Sequence, residues 1–415
     1  MRIRCLLLMP LLMTTAVAGD NWPQFRGPRG ESRSDATGLP VKWSEKENVA
    51  WKTEIHGKGW SSPVIWGNQI WLTTAREDGK EFFALCIDRD SGKILHDIKV
   101  FEEEKPAFCH PTNSYASPTP AIEEGRVYVH FGTYGTACID TKTGKKLWER
   151  RDLHCDHFRG PASSPILNED ALFVAFDGFD VQYVVAFNKK TGETLWKKDR
   201  AINYDVKDGD LKKAYGTPSI ITVKEKPQLV STAAVATVAY DPKTGDELWK
   251  VYHGGMNSTG PPLLFDGRVI LCTGDFGKRL LAVRPDGSGD VTKTHIDWEC
   301  NKGVPSRSSP VLVGSKLCMV NETGFLTCLA AKTGEQLWQE RIGGQYFASP
   351  IYADGKLYLF DADGKSHVGE PGKKWTSLAD NILDDGCMAT PAVAGKALFI
   401  RTKTHLYRIQ EKNGR

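Results

Sequence analysis

The sequence predicts an all-β fold: an eight-bladed β-propeller of four-stranded antiparallel blades, closed by an N-terminal strand. Three observations predict it. A nine-residue phrase ending Thr-Gly-x-x-Leu-Trp recurs along the chain, a small residue followed by proline recurs eight times, and the last repeat is one strand short.

The phrase occupies residues 140–148, 188–196, 241–249 and 330–338, each ending in a tryptophan: Trp148, Trp196, Trp249 and Trp338. Residues 88–96 are a worn copy with His96 in the tryptophan position. The fifth unit replaces the phrase with residues 285–289 and reaches Trp298 later. The Lys-Thr-Gly segments suit hairpin turns in which glycine takes positive φ. A tryptophan at a fixed repeat position is read as a packing element between blades, because a large aromatic fills the space between sheets.

The proline markers are Pro63, Pro118, Pro165, Pro218, Pro262, Pro310, Pro350 and Pro391. Between them the chain reads as short alternating strands such as 126–131 and 356–360, parted by Gly- and Asp-rich turns, with no helical period. Residues 47 to 410 divided among eight units give 45.5 residues each, within the roughly 40 to 50 of a propeller blade. After Pro391 only three strands fit, at about 390–394, 397–402 and 405–409. Residues 48–55 carry Trp51 in the repeat position and are the expected donor of the fourth, which would hide an otherwise sticky sheet edge.

The ends and the composition narrow the class further. Residues 1–18 read as a signal peptide, with Arg2 and Arg4, an apolar run to Met13 and the small-x-small triplet ending at Ala18. Residues 19–46 are then an N-terminal extension, 47–410 the propeller and 411–415 a tail. The apolar run is too short to span a bilayer and no later stretch competes, so a soluble periplasmic or secreted protein, and a monomer, is expected. The formal net charge of +3 falls to +1 without Arg2 and Arg4, and the basic residues are interspersed with acidic ones, which argues against nucleic acid as partner. Nine cysteines remain after residue 18, an odd number. Those in apolar runs, such as Cys86, Cys272 and Cys318, read as small buried hydrophobes.

These residues resemble the pyrroloquinoline-quinone (PQQ)-type β-propeller repeat family, in its BamB-like branch. Residues 21–28, 59–63 and 384–391 look like the exported set found in planctomycete-type bacteria. The resemblance covers nearly the whole chain after residue 18 and implies a binding or assembly scaffold rather than an enzyme. Its alternatives are a PQQ-dependent quinoprotein oxidoreductase and a metal-dependent enzyme at the channel mouth. The large quinoprotein dehydrogenases are longer, set a vicinal Cys-Cys disulfide over the cofactor and hold calcium beside a catalytic Asp. This chain has neither a Cys-Cys pair nor a Cys-x-x-Cys-His haem attachment. Asp177, Asp275 and Asp385 read as solvated turn formers, so neither PQQ nor calcium is expected.

Rigid blades carry function on their loops. The connections preceding the markers should converge on the channel mouth, and they hold the candidate face for a protein, peptide or glycan partner. Its residues are His110, Asn113, Tyr115, His154, Asp156, His157, Arg159, Tyr215, Met256, Asn257, Arg307, Gln345, Tyr346, Asp385 and Met388. Asp177 to Asp180 and Asp275 with Phe276 can add to the rim. His110, His154 and His157, with Asp156, have ligand types that suit zinc, set against a plain hydrogen-bonded polar rim. Cys109 and Cys155 are softer ligands or, alternatively, a disulfide; spacing decides neither.

Overall fold

In the computed structural model, which describes residues 21 to 412, seven of the eight marker prolines stand directly before the innermost strand of a blade. Eight separate sheets follow, each antiparallel through its four blade strands. Blade 3 shows the pattern, with strands Ile166–Asn168, Ala171–Asp177, Gln182–Asn188 and Thr194–Asp199 running outward from the axis. One marker needs correction. In blade 2 the innermost strand is Ala121–Glu123, so the equivalent proline is Pro120 and not Pro118. The signal-peptide segment 1–18 lies outside the described residues.

Blade 8 is built from Ala392–Ala394, Ala397–Arg401 and His405–Gln410, and its outer strand is Val49–Glu54 from the other end of the chain. Trp51 pairs with Arg408 and Thr53 with Leu406, so a strand from near the start of the chain and the last strand close the ring through backbone hydrogen bonds. The pairing slips by one residue just before Trp51, as it does before Trp148, Trp196, Trp249 and Trp338. Each slip turns the tryptophan toward the next blade. The leucine of the phrase falls in the bulge, which leaves Leu147, Leu195 and Leu337 about half exposed.

The tryptophans then dock blade to blade. Trp148 Nε1 donates to the Lys189 carbonyl at 2.9 Å and Trp196 Nε1 to the Pro242 carbonyl at 3.0 Å, while Trp51 reaches the Arg89 carbonyl of blade 1 at 3.0 Å. The indole face covers the Thr-Gly turn of that neighbour. At Gly192, φ is +75° and an added Cβ would stand 2.7 Å from Trp148. Gly192→Ala should therefore cost at least the 1–2 kcal/mol of a left-handed backbone, read as a lowered urea midpoint; an unchanged midpoint would show that the turn has room to relax. Trp249 departs from the pattern. It is fully buried, donates to Gln228 Oε1 at 2.8 Å, and is paired through its backbone with Gly289–Asp290 of the substituted turn of blade 5, which adds a parallel fifth strand to blade 4.

The apolar core is accordingly a ring of inter-blade clusters. Trp71, Phe82, Val127 and Phe131 fill the space between blades 1 and 2, and Val230, Trp249, Leu271 and Val283 that between blades 4 and 5. Nearer the axis, the residue before each marker proline is a Ser or Thr except at Pro261, and at Thr119, Ser164, Thr217, Ser349 and Thr390 its hydroxyl takes the backbone N–H of the blade before. Ser62 N donates to Thr119 Oγ1, Thr119 N to Ser164 Oγ, Ser164 N to Thr217 Oγ1 and Ser349 N to Thr390 Oγ1, all at 2.9 to 3.0 Å.

The N-terminal extension does not trail from the propeller; it crosses the channel. Trp22 exchanges backbone hydrogen bonds with Ile65 of blade 1, and the Pro23 carbonyl accepts from Ile122 of blade 2. Arg26 Nη2 donates to the Pro310 carbonyl of blade 6 at 2.5 Å, and Arg33–Ser34 runs parallel to the inner strand of blade 7. Trp22 and Arg26 are fully buried, and burial, opposed by Glu31, lowers the Arg26 guanidinium to about 9. Residues 21 to 34 thus plug the end of the channel opposite the loop-rich mouth.

Candidate functional site

Eight loops enter the mouth, and the same position of each reaches the cavity there. Trp60, Ser117, Ala162, Tyr215, Thr259, Arg307, Phe347 and Met388 all line it, each three residues before its marker proline once blade 2 is counted from Pro120. The rigid inner strand that follows holds this position on the axis. His110, Thr112, Asn113, Arg159 and Asn257, higher in their loops, complete the wall around about 180 Å³. A deeper space of about 120 Å³ shares Trp60, Tyr215, Arg307, Phe347 and Met388, continues past the hydroxyl belt, and ends at Phe25 of the plug.

No carboxylate lines either space. Arg307 Nη1 donates to Asp275 Oδ2 at 3.0 Å, just outside the wall. Burial opposes ionisation of Asp275, yet Arg307, with hydrogen bonds from Ser306, Arg307 and Asn257, holds it below its ordinary value. Arg159 makes no ion pair among the described residues, and its Nε is buried without a hydrogen-bond partner. Burial, followed by Arg159, Arg307 and Lys58, holds His110 below its ordinary value, so the imidazole is neutral near pH 7. Beneath the wall, burial lowers Lys213 despite Asp210, and its ammonium reaches Asn257 Oδ1 at 3.3 Å.

The neutral polar groups of the wall largely answer one another. Asn113 Nδ2 donates to the Arg159 carbonyl at 2.8 Å and Oδ1 accepts from Ser117 Oγ at 2.6 Å. The Thr259 hydroxyl donates to the Arg307 carbonyl at 2.7 Å, and that of Tyr215 to the His157 carbonyl at 3.1 Å.

Of the residues expected at the face, His110, Asn113, Arg159, Tyr215, Asn257, Arg307 and Met388 meet at the cavity. The others do not line it. Tyr115 sits three before Pro118, the misassigned marker; its ring packs on Phe82 and Tyr134 and its hydroxyl donates to the Ala107 carbonyl. His154 is exposed, Asp156 accepts from the Phe158 N–H at 2.8 Å, and Met256 is buried with its backbone paired to Asp275. Tyr346 is wholly buried between blades 6 and 7, Gln345 is exposed, and Asp385 accepts from the Thr404 hydroxyl. Asp177 leaves the rim altogether for a buried pair with Arg200, at 2.5 and 2.7 Å.

The histidines are not brought together. His157 is buried against Phe176, and its Nε2 accepts the Thr133 N–H at 3.2 Å, which consumes the lone pair a metal would need. Among the described residues no three of His, Cys, Asp and Glu are grouped to hold a metal ion. Cys109 and Cys155 are separate thiols: Cys109 Sγ faces the Arg159 carbonyl and Cys155 Sγ faces His157 Nδ1. A quinone with calcium does not fit these residues either. Beside the cavity, Asp275 is spent on Arg307 and Asn257 and Glu322 on the Ser306 and Arg307 N–H groups, and Phe25 closes the channel below. Sequence reasoning missed Trp60, Thr112, Ser117, Ala162, Thr259, Phe347 and the floor residue Phe25. A fixed offset of three from the markers as read gives four of these seven, Trp60, Ala162, Thr259 and Phe347, and Ser117 as well once blade 2 is counted from Pro120.

A family profile described as outer membrane protein assembly factor BamB matches residues 41–182 and 180–415. The chain is 28% identical over 200 residues to methanol dehydrogenase [cytochrome c] subunit 1 of Methylobacterium organophilum, covering 44% of this chain and 29% of that one. It is 23% identical over 271 residues to outer membrane protein assembly factor BamB of Shewanella oneidensis, covering 61% and 63%. The match thus spans under two thirds of either relative. Among solved structures, the quinohemoprotein alcohol dehydrogenase of Comamonas testosteroni superposes with a TM-score of 0.66 at 11% identity, over 97% of this chain and 82% of that one, which speaks to the fold alone. Among the described residues no helix is long and apolar enough to cross a membrane.

Proposed function

Because the chain belongs to the family described as outer membrane protein assembly factor BamB, we propose that it is an exported, monomeric, non-enzymatic scaffold that receives a protein, peptide or glycan partner at its channel mouth. The observation carrying this reading is the convergence of one side chain from each of eight loops on a single cationic cavity with no carboxylate in its wall. Rigid blades hold those loops, which is how a propeller presents a binding surface without moving chemistry into its sheets. The signal-peptide pattern at residues 1–18 supports a scaffold in the periplasm or outside the cell.

The reading predicts where a partner touches. A photo-crosslinking residue in place of Phe347 or Phe158 should capture the partner from intact cells, and one in place of Thr143 or Thr244, in the turns at the blades' far end, should not. Adding Arg159→Ala should reduce capture from position 347 by about tenfold or more while the thermal melt stays unchanged, because a charged hydrogen bond lost from a contact is worth at least that factor. Capture confined to the far turns would place the partner elsewhere.

A further inference from the structure

Resting on the mouth-binding reading above, we infer that the cavity receives the free C-terminus of an extended peptide or protein chain, its α-carboxylate meeting Arg159 and Arg307 and an apolar last side chain lying on Trp60, Phe347 and Met388. Charge sets the first requirement. Arg159 has no carboxylate partner among the described residues and a buried, unbonded Nε, and Arg307 spends only Nη1 on Asp275. Two guanidiniums with spare donors and no acid in the wall call for an anion, and a planar carboxylate matches the guanidinium fork.

The rest of the wall narrows the anion. Asn113, Ser117, Thr259 and Tyr215 already donate to one another or to backbone carbonyls, so little is left to answer the hydroxyls of a sugar. What the wall offers instead is the faces of Trp60 and Phe347 and the thioether of Met388. A terminal residue carries its carboxylate and its side chain on one carbon, as the guanidiniums and aromatic faces here stand side by side. Phe25 closes the channel below, so a ligand entering the mouth has to end there.

The rim gives the preceding residues of such a chain somewhere to lie. Phe108, Phe158, Phe179 and Phe276 are all exposed, Phe276 by 69%, and Phe158 stacks on Phe179 at 5.6 Å. Phe158 and Phe276 hold left-handed backbone, φ 58° and 55°, which a bulky aromatic adopts only where its surroundings impose it. Each adjoins a charged group of the site: Phe158 precedes Arg159, and Phe276 follows Asp275. Apolar side chains held into solvent around a cationic pocket form the clasp an extended chain needs.

The test uses the mature protein and dye-labelled decapeptides of one sequence ending in Phe, Leu or Ser, each as free acid and as C-terminal amide, read by fluorescence anisotropy. The Phe and Leu acids should bind and their amides should bind about tenfold more weakly or worse. Arg159→Gln should weaken the acids by a similar factor, leave the amides unchanged and leave the melt intact. Equal binding of acid and amide, indifference to Arg159→Gln, absence of binding by every peptide, or preferential binding of a uronate-terminated oligosaccharide or of PQQ would each overturn the proposal. If acid and amide bind alike while crosslinks still map to position 347, the carboxylate claim falls and mouth binding stands. Crosslinks confined to the far turns remove both.

Discussion

Deleting residues 19 to 56 should abolish the cooperative melt or leave a chain that precipitates, because the segment supplies two different closures. Its strand Val49–Glu54 covers the edge of His405–Gln410 and carries Trp51 onto the turn of blade 1. Its earlier part seats Trp22, Leu39 and Trp43 in the cluster shared by blades 7, 8 and 1. Burying each such side chain contributes about 1.5–3 kcal/mol, so with Trp51 and Ile55 the loss is roughly 10 kcal/mol, comparable with the whole stability of a domain. The exposed edge would then offer itself to other chains. A shorter deletion, residues 19 to 46, separates the two effects. It keeps the closing strand, removes the plug, and should melt cooperatively at a lower temperature. A full deletion that melts within a degree or two of the intact protein would mean that the ring does not depend on this strand.

Acid should unfold the protein well before its carboxylates protonate. His130, His157 and His253 are buried, and burial lowers them to about 3, 4 and 3, with Arg279 adding to the effect at His253. Two of them also spend a ring nitrogen as acceptor: His157 Nε2 takes the Thr133 N–H and His253 Nδ1 the Gly255 N–H, bonds that protonation would break. The unfolded chain protonates each imidazole near pH 6.5, whereas the folded protein resists until about pH 3 to 4. Between those limits the unfolded state binds more protons, so stability is complete above about pH 6.5 and falls with pH, by about 1.4 kcal/mol per pH unit per histidine. Three of them remove about 6 kcal/mol by pH 5. Urea midpoints measured from pH 7.5 to 4.5 should fall steeply across this window, and His130→Gln should flatten the slope by about a third. A midpoint constant down to pH 4.5 would show that these rings take up protons without unfolding.

What the sequence by itself determined is the blade. The Thr-Gly-x-x-Leu-Trp phrase brings its own hairpin and its own docking tryptophan, so each unit's contacts run to the next unit and recur with the repeat. Ring closure was legible for the same reason: Trp51 stands alone in the repeat position beside a final unit lacking one strand. Arg159, Arg307 and Tyr215 were legible as mouth residues because the markers bring their loops to the axis.

Tertiary structure alone decided which loop side chains point inward, since that depends on contacts between loops that share no repeat. A slip of two residues at Pro118 is enough to exchange Tyr115, which packs on Phe82, for Ser117, which lines the cavity. His157 has the residue type of a metal ligand, yet Phe176 and the Thr133 N–H from neighbouring segments bury it and take its lone pair. The plug carries no repeat at all. Arg26 finds the Pro310 carbonyl 284 residues away, and a contact at that separation exists only once eight blades have closed a channel for the chain to cross.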